Sequence, residues 1–279
     1  MITLEQLQAG IVLPIDKPRQ WTSFQAVNKV KAIVRNTYGL KKFKIGHAGT
    51  LDPLATGLLL VCLGKATKSI PELQDGDKVY TGTMVLGATT PCYDLEQAID
   101  RHFPYDHITP ALLEQVRQQL EGTIMQVPPM YSAVKVDGQR AYEYARQEDL
   151  SATIQPKQVN VYSFEITAFR KSLTPQPPLL EREGDPETNH SPILLEEGLG
   201  VRPHLYDNPQ GTVPPHLPQL DFRIRCGKGT YIRSIARDFG TALGSGAFLS
   251  ALRREQVGRY TINEALTLDQ VETHLTLNT

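Results

Sequence analysis

Between Leu220 and Cys226 apolar and charged residues alternate without a break: Leu220, Phe222, Ile224 and Cys226 on one side, Asp221, Arg223 and Arg225 on the other. A period of two sends successive side chains to opposite faces of a strand, so this segment is half buried in a sheet and half in water. Upstream, Val159, Val161, Phe164, Ile166 and Ala168 repeat the pattern with one slip.

What separates them is of a different composition. Residues 171–218 hold ten of the chain's 20 prolines, and seven acidic residues against three basic ones, with no sustained period of two or 3.6. The segment reads as a Pro-rich, disordered insertion that joins two strands of one sheet. It is net −4, which leaves +3 for the rest of a chain whose formal charge is −1. Overall charge therefore does not argue against a nucleic-acid partner, since its distribution decides.

Elsewhere Thr22 and Gln25 make a capping box before a helix whose Phe24, Val27, Val30 and Val34 share a face, and Thr109-Pro110 opens a second that runs toward Gly122. Strands are expected at residues 10–15 and 79–87, and a short closing helix near residues 268–275. Helices and strands intermix without regular βαβ units, which gives an α+β fold on a mixed, mostly antiparallel sheet flanked by helices. A single catalytic domain over residues 1–279 is expected, with no C-terminal domain appended. No apolar run approaches a membrane span and the N-terminus lacks a signal sequence, so a cytoplasmic monomer is expected, with no membrane partner. Cys62, Cys92 and Cys226 are far apart and read as buried apolar residues, and the seven histidines never fall at ligand spacing, so no metal is expected.

The run Gly46-His47-Ala48-Gly49-Thr50-Leu51-Asp52-Pro53-Leu54-Ala55-Thr56-Gly57 precedes an apolar stretch over residues 58–63 and then Gly64-Lys65. It is not a phosphate-binding P-loop, because six residues rather than four separate Gly57 from Gly64. Asp52-Pro53 alone reads as a helix start, the aspartate capping and the proline at the first position. Glycines and a histidine just upstream argue for more than a cap, since they let the backbone approach another group closely. A second run, residues 226–237, takes the alternating strand through Gly227 and Gly229 into a helix for which Thr230 is the expected N-cap. Ile232, Ile235, Ala236, Phe239 and Leu243 form its apolar face, which sets Arg233 and Arg237 together on the other, near Lys228 at a helix N-terminus where a phosphate or carboxylate would be received.

The first run, GHAGTLDPLATGLL, resembles the signature of the TruB family, bacterial synthases of pseudouridine 55 in tRNA. In matching order the chain also carries Ile15-Asp16-Lys17-Pro18, Asp77-Lys78-Val79-Tyr80, residues 127–135, residues 141–146, Gly227-Lys228-Gly229-Thr230-Tyr231-Ile232-Arg233 and Leu252-Arg253-Arg254. The resemblance spans nearly the whole chain except the insertion. It implies a pseudouridine synthase fold with an RNA-gripping thumb over residues 124–150, and a cofactor-free isomerase acting on the T arm of tRNA. It further implies that Asp52 is the nucleophile, that Arg233 pairs with it, and that Tyr80 stacks on the target base. His47, Tyr231 and Leu252 would line the pocket, with Lys17 and Pro18 supporting the loop.

The chemistry fits these residue types. Detaching uracil, rotating it and rejoining it through C5 changes no oxidation state, so a carboxylate, a cation to orient it and an aromatic platform suffice. The base must first leave its stack, and Tyr80, Tyr231 and Leu252 suit an extruded ring. Phosphate contacts are expected from Lys41, Lys42, Lys44, Lys135, Arg140 and Arg146, with the acidic insertion pointing away from the RNA. Departures from the family pattern are expected at that insertion and in the lack of a C-terminal RNA-binding PUA-type domain. A guide-RNA-dependent pseudouridylase and an RNA-folding protein with secondary catalysis are the rival readings.

Overall fold

The computed structural model describes residues 2–132, 134–136, 138–141, 144, 154–171 and 213–276. Strands β1 (Ile11–Lys17), β2 (Ile45–Ala48), β3 (Thr56–Leu63), β4 (Lys78–Leu86), β5 (Gly122–Gln126), β6 (Lys157–Arg170), β7 (Gln219–Cys226), β8 (Ala247–Val257) and β9 (Tyr260–Thr261) form one nine-stranded sheet. Its order is β1-β3-β8-β4-β7-β6-β5, with β2 paired to β3 and β9 to β8. The pairs are antiparallel except β3 with β8, which run parallel through Arg253–Thr56 and Arg254–Gly57. The expected mixed, mostly antiparallel sheet is therefore present.

The strands around the insertion are neighbours, as expected: β6 and β7 pair antiparallel up to Arg170–Gln219. Residues 172–212 of the insertion lie outside the described residues. So does much of the expected thumb, apart from its root at Gly122–Tyr131 and a short hairpin pairing Lys135–Val136 with Gln139–Arg140.

Helices α1 (Leu4–Ala9), α2 (Ser23–Tyr38), α3 (Ile70–Asp75), α4 (Pro110–Gln119), α5 (Ile232–Ala242) and α6 (Leu268–Thr276) complete the chain. The capping box of α2 is formed, Gln25 N donating to Thr22 Oγ1 at 3.1 Å and Thr22 N to Gln25 Oε1 at 2.8 Å. Ala26, Val27, Val30, Ile33 and Val34 make its buried stripe. Phe24 is a correction: it lies about a third of a turn from the centre of that stripe, and is 69% exposed.

β3 explains the unbroken apolar run after the first motif. Leu59, Val61 and Leu63 face the main core with α2, α5 and α6, while Leu58 and Leu60 face a smaller cluster with Ala48, Val257, Ile70 and Leu73. A strand covered on both faces has no solvent side to alternate toward. All three cysteines are free and buried, in keeping with the apolar reading. Among the described residues no helix is long and apolar enough to cross a membrane.

The helix start that Asp52-Pro53 would suit in isolation does not form. Ala55 N donates to Asp52 O at 3.1 Å, closing a turn, and β3 begins at Thr56. Gly57, at φ +99°, brings β3 against β8, where a Cβ would sit 2.4 Å from Arg254 O and 2.8 Å from Arg254 N. Backbone cannot yield as a side chain does, and the left-handed φ adds strain. Gly57→Ala is expected to cost about 2–4 kcal/mol in urea denaturation. Gly39→Ala is the control, since Gly39 also has positive φ but meets nothing within 4 Å, and should lose only ~1 kcal/mol.

Candidate active site

The turn between β2 and β3 presents Asp52, and four separate anchors hold it. Ser23 Oγ accepts from Leu51 N at 2.9 Å and donates to Leu51 O at 3.1 Å. Gln20 N donates to Pro53 O at 2.9 Å. Lys17, fully buried, places its ammonium against the carbonyl oxygens of Pro18 (3.0 Å), Trp21 (2.6 Å) and Pro53 (3.2 Å). Three acceptors match the three N–H donors of a charged lysine. Burial, with the Arg254 charge acting in the same sense, outweighs the Asp52 and Asp16 charges and brings the Lys17 amine down to about 8. From the opposite side Arg254, buried in β8, donates through Nη2 to Gly49 O at 2.9 Å and through Nε to Leu58 O at 2.8 Å.

Arg233 meets Asp52 as a fork. Its Nε donates to Oδ2 at 2.8 Å and its Nη2 to Oδ1 at 2.9 Å. Nη1 donates to Cys92 O at 3.1 Å, and Nη2 also to Tyr131 O at 2.8 Å. The Arg233 side chain is 4% exposed whereas that of Asp52 is 37% exposed. The guanidinium is thus part of the interior, while the carboxylate it aims stays open to a ligand. A bidentate pair fixes the plane of the carboxylate as well as its position.

This overturns the expectation that Arg233 and Arg237 share an exposed face of α5. Arg233 is buried beside Ile232, and its charge is balanced on two sides, by Asp52 and by Asp94, whose Oδ2 lies 3.7 Å from Arg233 Nε. Burial alone would lower the Arg233 pKa; Asp52 and Asp94 together outweigh it and raise it. Arg237 instead donates to Asp238 and to Val127 O and lies over the Tyr93 ring. Lys228 is taken by Asp75 at 2.6 Å. Thr230 does not cap α5 either: its hydroxyl donates to Gly227 O at 3.0 Å, and Tyr231 is the N-cap residue.

Tyr231 is held by its backbone, N donating to Gln126 Oε1 at 2.8 Å and O accepting from Gln126 Nε2 at 3.2 Å. Since Ser234 Oγ and Arg237 Nη2 both donate to Val127 O, the start of α5 and the thumb root form one hydrogen-bonded unit. Tyr80 is buried in β4; burial raises its phenol, the Arg254 charge opposes the rise, and Cys226 and Asp52 add to it. Asp52 acts on Tyr231 in the same sense, after burial.

The structure therefore sets Arg233 in contact with Asp52, and Lys17, Tyr80 and Tyr231 within reach of its charge. Leu252 pairs with Gly82, two positions along from the Tyr80–Arg254 pair, so Tyr80, Gly82, Leu252 and Arg254 share one face of the sheet. It borders a cleft of about 610 Å³ that Leu54, Thr56, Gly82, Arg19, Arg223 and Arg253 also line, among others. Asp52 is next to that cleft in sequence but does not line it. His47 stands further off: its Nε2 is 3.1 Å from Thr50 Oγ1, and burial, then the Arg254 charge, lowers its pKa. Lys41, Lys42 and Lys44 are exposed, as a phosphate-contacting role requires. The side chains of Lys135, Arg140 and Arg146 lie outside the described residues.

Two participants escaped the sequence. Arg254 belongs to a quoted run but carried no assigned role, and Asp94 carried no signal at all. Asp94 is 5% exposed and accepts from Glu96 N at 3.0 Å; burial raises its carboxyl while Arg233 lowers it. No periodicity marks a carboxylate in a loop as buried.

Residues 35–176 match the family model described as TruB family pseudouridylate synthase (N terminal domain), and residues 233–279 match the tRNA pseudouridylate synthase B C-terminal domain. In this structure both matched portions contribute strands to the same sheet. The chain is similar to the tRNA pseudouridine synthase B of Flavobacterium johnsoniae, 44% identical over 275 residues, covering 98% of this chain and 100% of that one. It is also similar to that of Phocaeicola vulgatus, 40% identical over 260 residues, covering 93% of this chain and 91% of that one. Among solved structures, a Cbf5-Nop10-Gar1 complex matches with a TM-score of 0.58 and 25% identity, over 96% of this chain and 54% of that one. An archaeal box H/ACA sRNP Nop10-Cbf5 complex matches at 0.55 and 22% identity, a likeness of fold alone. The chain spans about half the length of those two solved chains.

Proposed function

The chain belongs to the TruB family of pseudouridylate synthases, and on that premise we propose that it isomerises uridine 55 in the T loop of tRNA to pseudouridine, with Asp52 as the working carboxylate. The observation that carries the role of Asp52 is its fork to a buried arginine combined with its own open edge. A charge held this firmly, with a face left for a ligand, is suited to a reacting centre rather than to a structural ion pair.

In the reaction the N1–C1′ bond breaks, uracil turns, the C5–C1′ bond forms, the C5 proton is lost and N1 gains one. Asp52 serves by attacking the ring or C1′, or by assisting loss of a ribose proton. Arg233 fixes its plane throughout, and Tyr80 and Tyr231 offer rings to the turning base. Asp94 is a positioning residue in this scheme, acting through Arg233. Residues 2–276 are read as one catalytic unit, with affinity supplied by phosphate contacts from Lys41, Lys42 and Lys44.

The test is tritium release from a tRNA transcript labelled at C5 of its uridines, set against one with cytidine at the T-loop position. Release that disappears with the cytidine substitution is the expected result. Equal release from both transcripts would overturn the site assignment, and no release by a folded, RNA-binding protein would overturn the activity.

A further inference from the structure

Phe24 is the most exposed of the large apolar side chains noted on the surface, at 69%. One exposed ring is ordinary. This one borders a concavity of about 460 Å³ whose other lining residues are Gln20, Trp21, Gln25, Asn28 and Lys29. That volume falls within the range of ligand pockets, ~300–1,000 Å³. Two aromatic rings stand there among three carboxamides and an ammonium. Gln25 spends its oxygen on the capping box, and its N–H₂ has no hydrogen-bond acceptor among the described residues.

The pocket is also tied to the catalytic turn. Lys17 Nζ joins Trp21 O to Pro53 O, Gln20 N donates to Pro53 O, and Ser23 Oγ bridges both backbone groups of Leu51. Every residue from Gln20 to Ser23 except Thr22 thus touches the turn that presents Asp52, or the lysine that holds it. Gln20 itself has φ +66°, in the left-handed region that a side chain makes costly. Strain maintained beside a reacting centre marks a backbone shape that is needed there.

Resting on the functional reading above, we propose that the Trp21–Phe24 pocket is a second nucleotide subsite, binding an unpaired nucleobase of the substrate RNA that lies near the flipped uridine. Aromatic faces receive the base by stacking, which any base provides, and the carboxamides of Gln20, Gln25 and Asn28 meet its polar edge. Lys29 answers the adjoining phosphate. A lipid surface would need a broad apolar face with several cations around it, whereas this concavity carries one cation, Lys29, and three carboxamides beside its two rings.

Trp21 is the chain's single tryptophan, so all tryptophan emission arises beside this pocket, and the abasic series separates the pocket from the turn. The experiment titrates T-arm stem-loop RNA, end-labelled for anisotropy, into the protein, into Phe24→Ala and into Phe24→Tyr, and repeats the titration with abasic sites placed singly around the loop. The expected result is quenching of Trp21 on binding and a Kd raised roughly 5- to 100-fold by Phe24→Ala. Phe24→Tyr retains affinity. One abasic position should weaken binding to the wild-type protein while leaving Phe24→Ala unaffected. A Kd for Phe24→Ala within twofold of wild type, or a quench that no abasic site alters, would overturn the subsite. Because Kd and emission are read without turnover, failure here is separable from failure of tritium release. Phe24 stands in water, so both variants are expected to melt with the wild-type protein, and circular dichroism checks this.

Discussion

Asp52→Asn is expected to remove at least ~10³-fold of the single-turnover rate of tritium release, with RNA binding kept within a few-fold. The change is isosteric and one oxygen still accepts from Arg233, so the turn anchored by Ser23, Lys17 and Arg254 has no reason to move. What is lost is the negative charge and the nucleophile. Arg233 keeps one carboxylate, since Asp94 stays 3.7 Å away, and the penalty of an unpaired buried charge is therefore softened. A variant that binds RNA and melts like the wild-type protein yet turns over within tenfold of it would remove Asp52 from the chemistry. It would leave the family's activity in need of another residue.

Arg233→Lys should lower the rate by at least ~10²-fold while also destabilising the protein by about 2–4 kcal/mol. Lysine preserves the charge but not the fork. Four hydrogen bonds to three segments, at Asp52, Cys92 O and Tyr131 O, cannot be remade by one ammonium on a different stem. The stranded carbonyl groups account for the loss of stability, and the freed carboxylate for the loss of rate. Urea midpoints and single-turnover rates separate the two effects. Wild-type stability with a depressed rate would mean that the carbonyl contacts contribute little. The reverse pattern would make Arg233 a structural residue and Asp52 self-sufficient.

These arguments show which parts of the molecule were legible in its sequence. The pairing of β6 with β7 across the insertion was, because alternation is a local signal and the two strands flank the same segment. Asp52, Tyr80 and Arg233 were found through motif resemblance. Their periodicity alone pointed elsewhere: the helical pattern set Arg233 opposite Ile232 and Ile235, in water. Its burial depends on Asp52, 181 residues away in sequence, and on a loop carboxylate, Asp94, with no pattern of its own. Phe24 failed for the opposite reason. Its spacing from Val27 and Val30 fits a helix face, yet it falls at the edge of the stripe, where spacing cannot tell a packed ring from an exposed one. Asp52-Pro53 in isolation suits a helix start and a tight turn alike, and the anchors from Lys17, Gln20 and Ser23 decide in favour of the turn.

The position of β8 bears on the order in which the protein becomes active during synthesis. This strand, Ala247–Val257, is made after every other described strand of the sheet except the short β9, yet it sits between β3 and β4 near the middle of the sheet. Before it emerges, β1–β3 and β4–β7–β6–β5 are two half-sheets, each with an unpaired edge and no hydrogen bonds to the other. Arg254, the clamp on the catalytic turn, arrives on that same strand, shortly after Arg233. A ribosome-bound chain can thus display a complete Asp52 motif without its guanidinium partner or its seat. In this order of synthesis Asp52 receives its guanidinium partner and its seat only when β8 joins the two half-sheets.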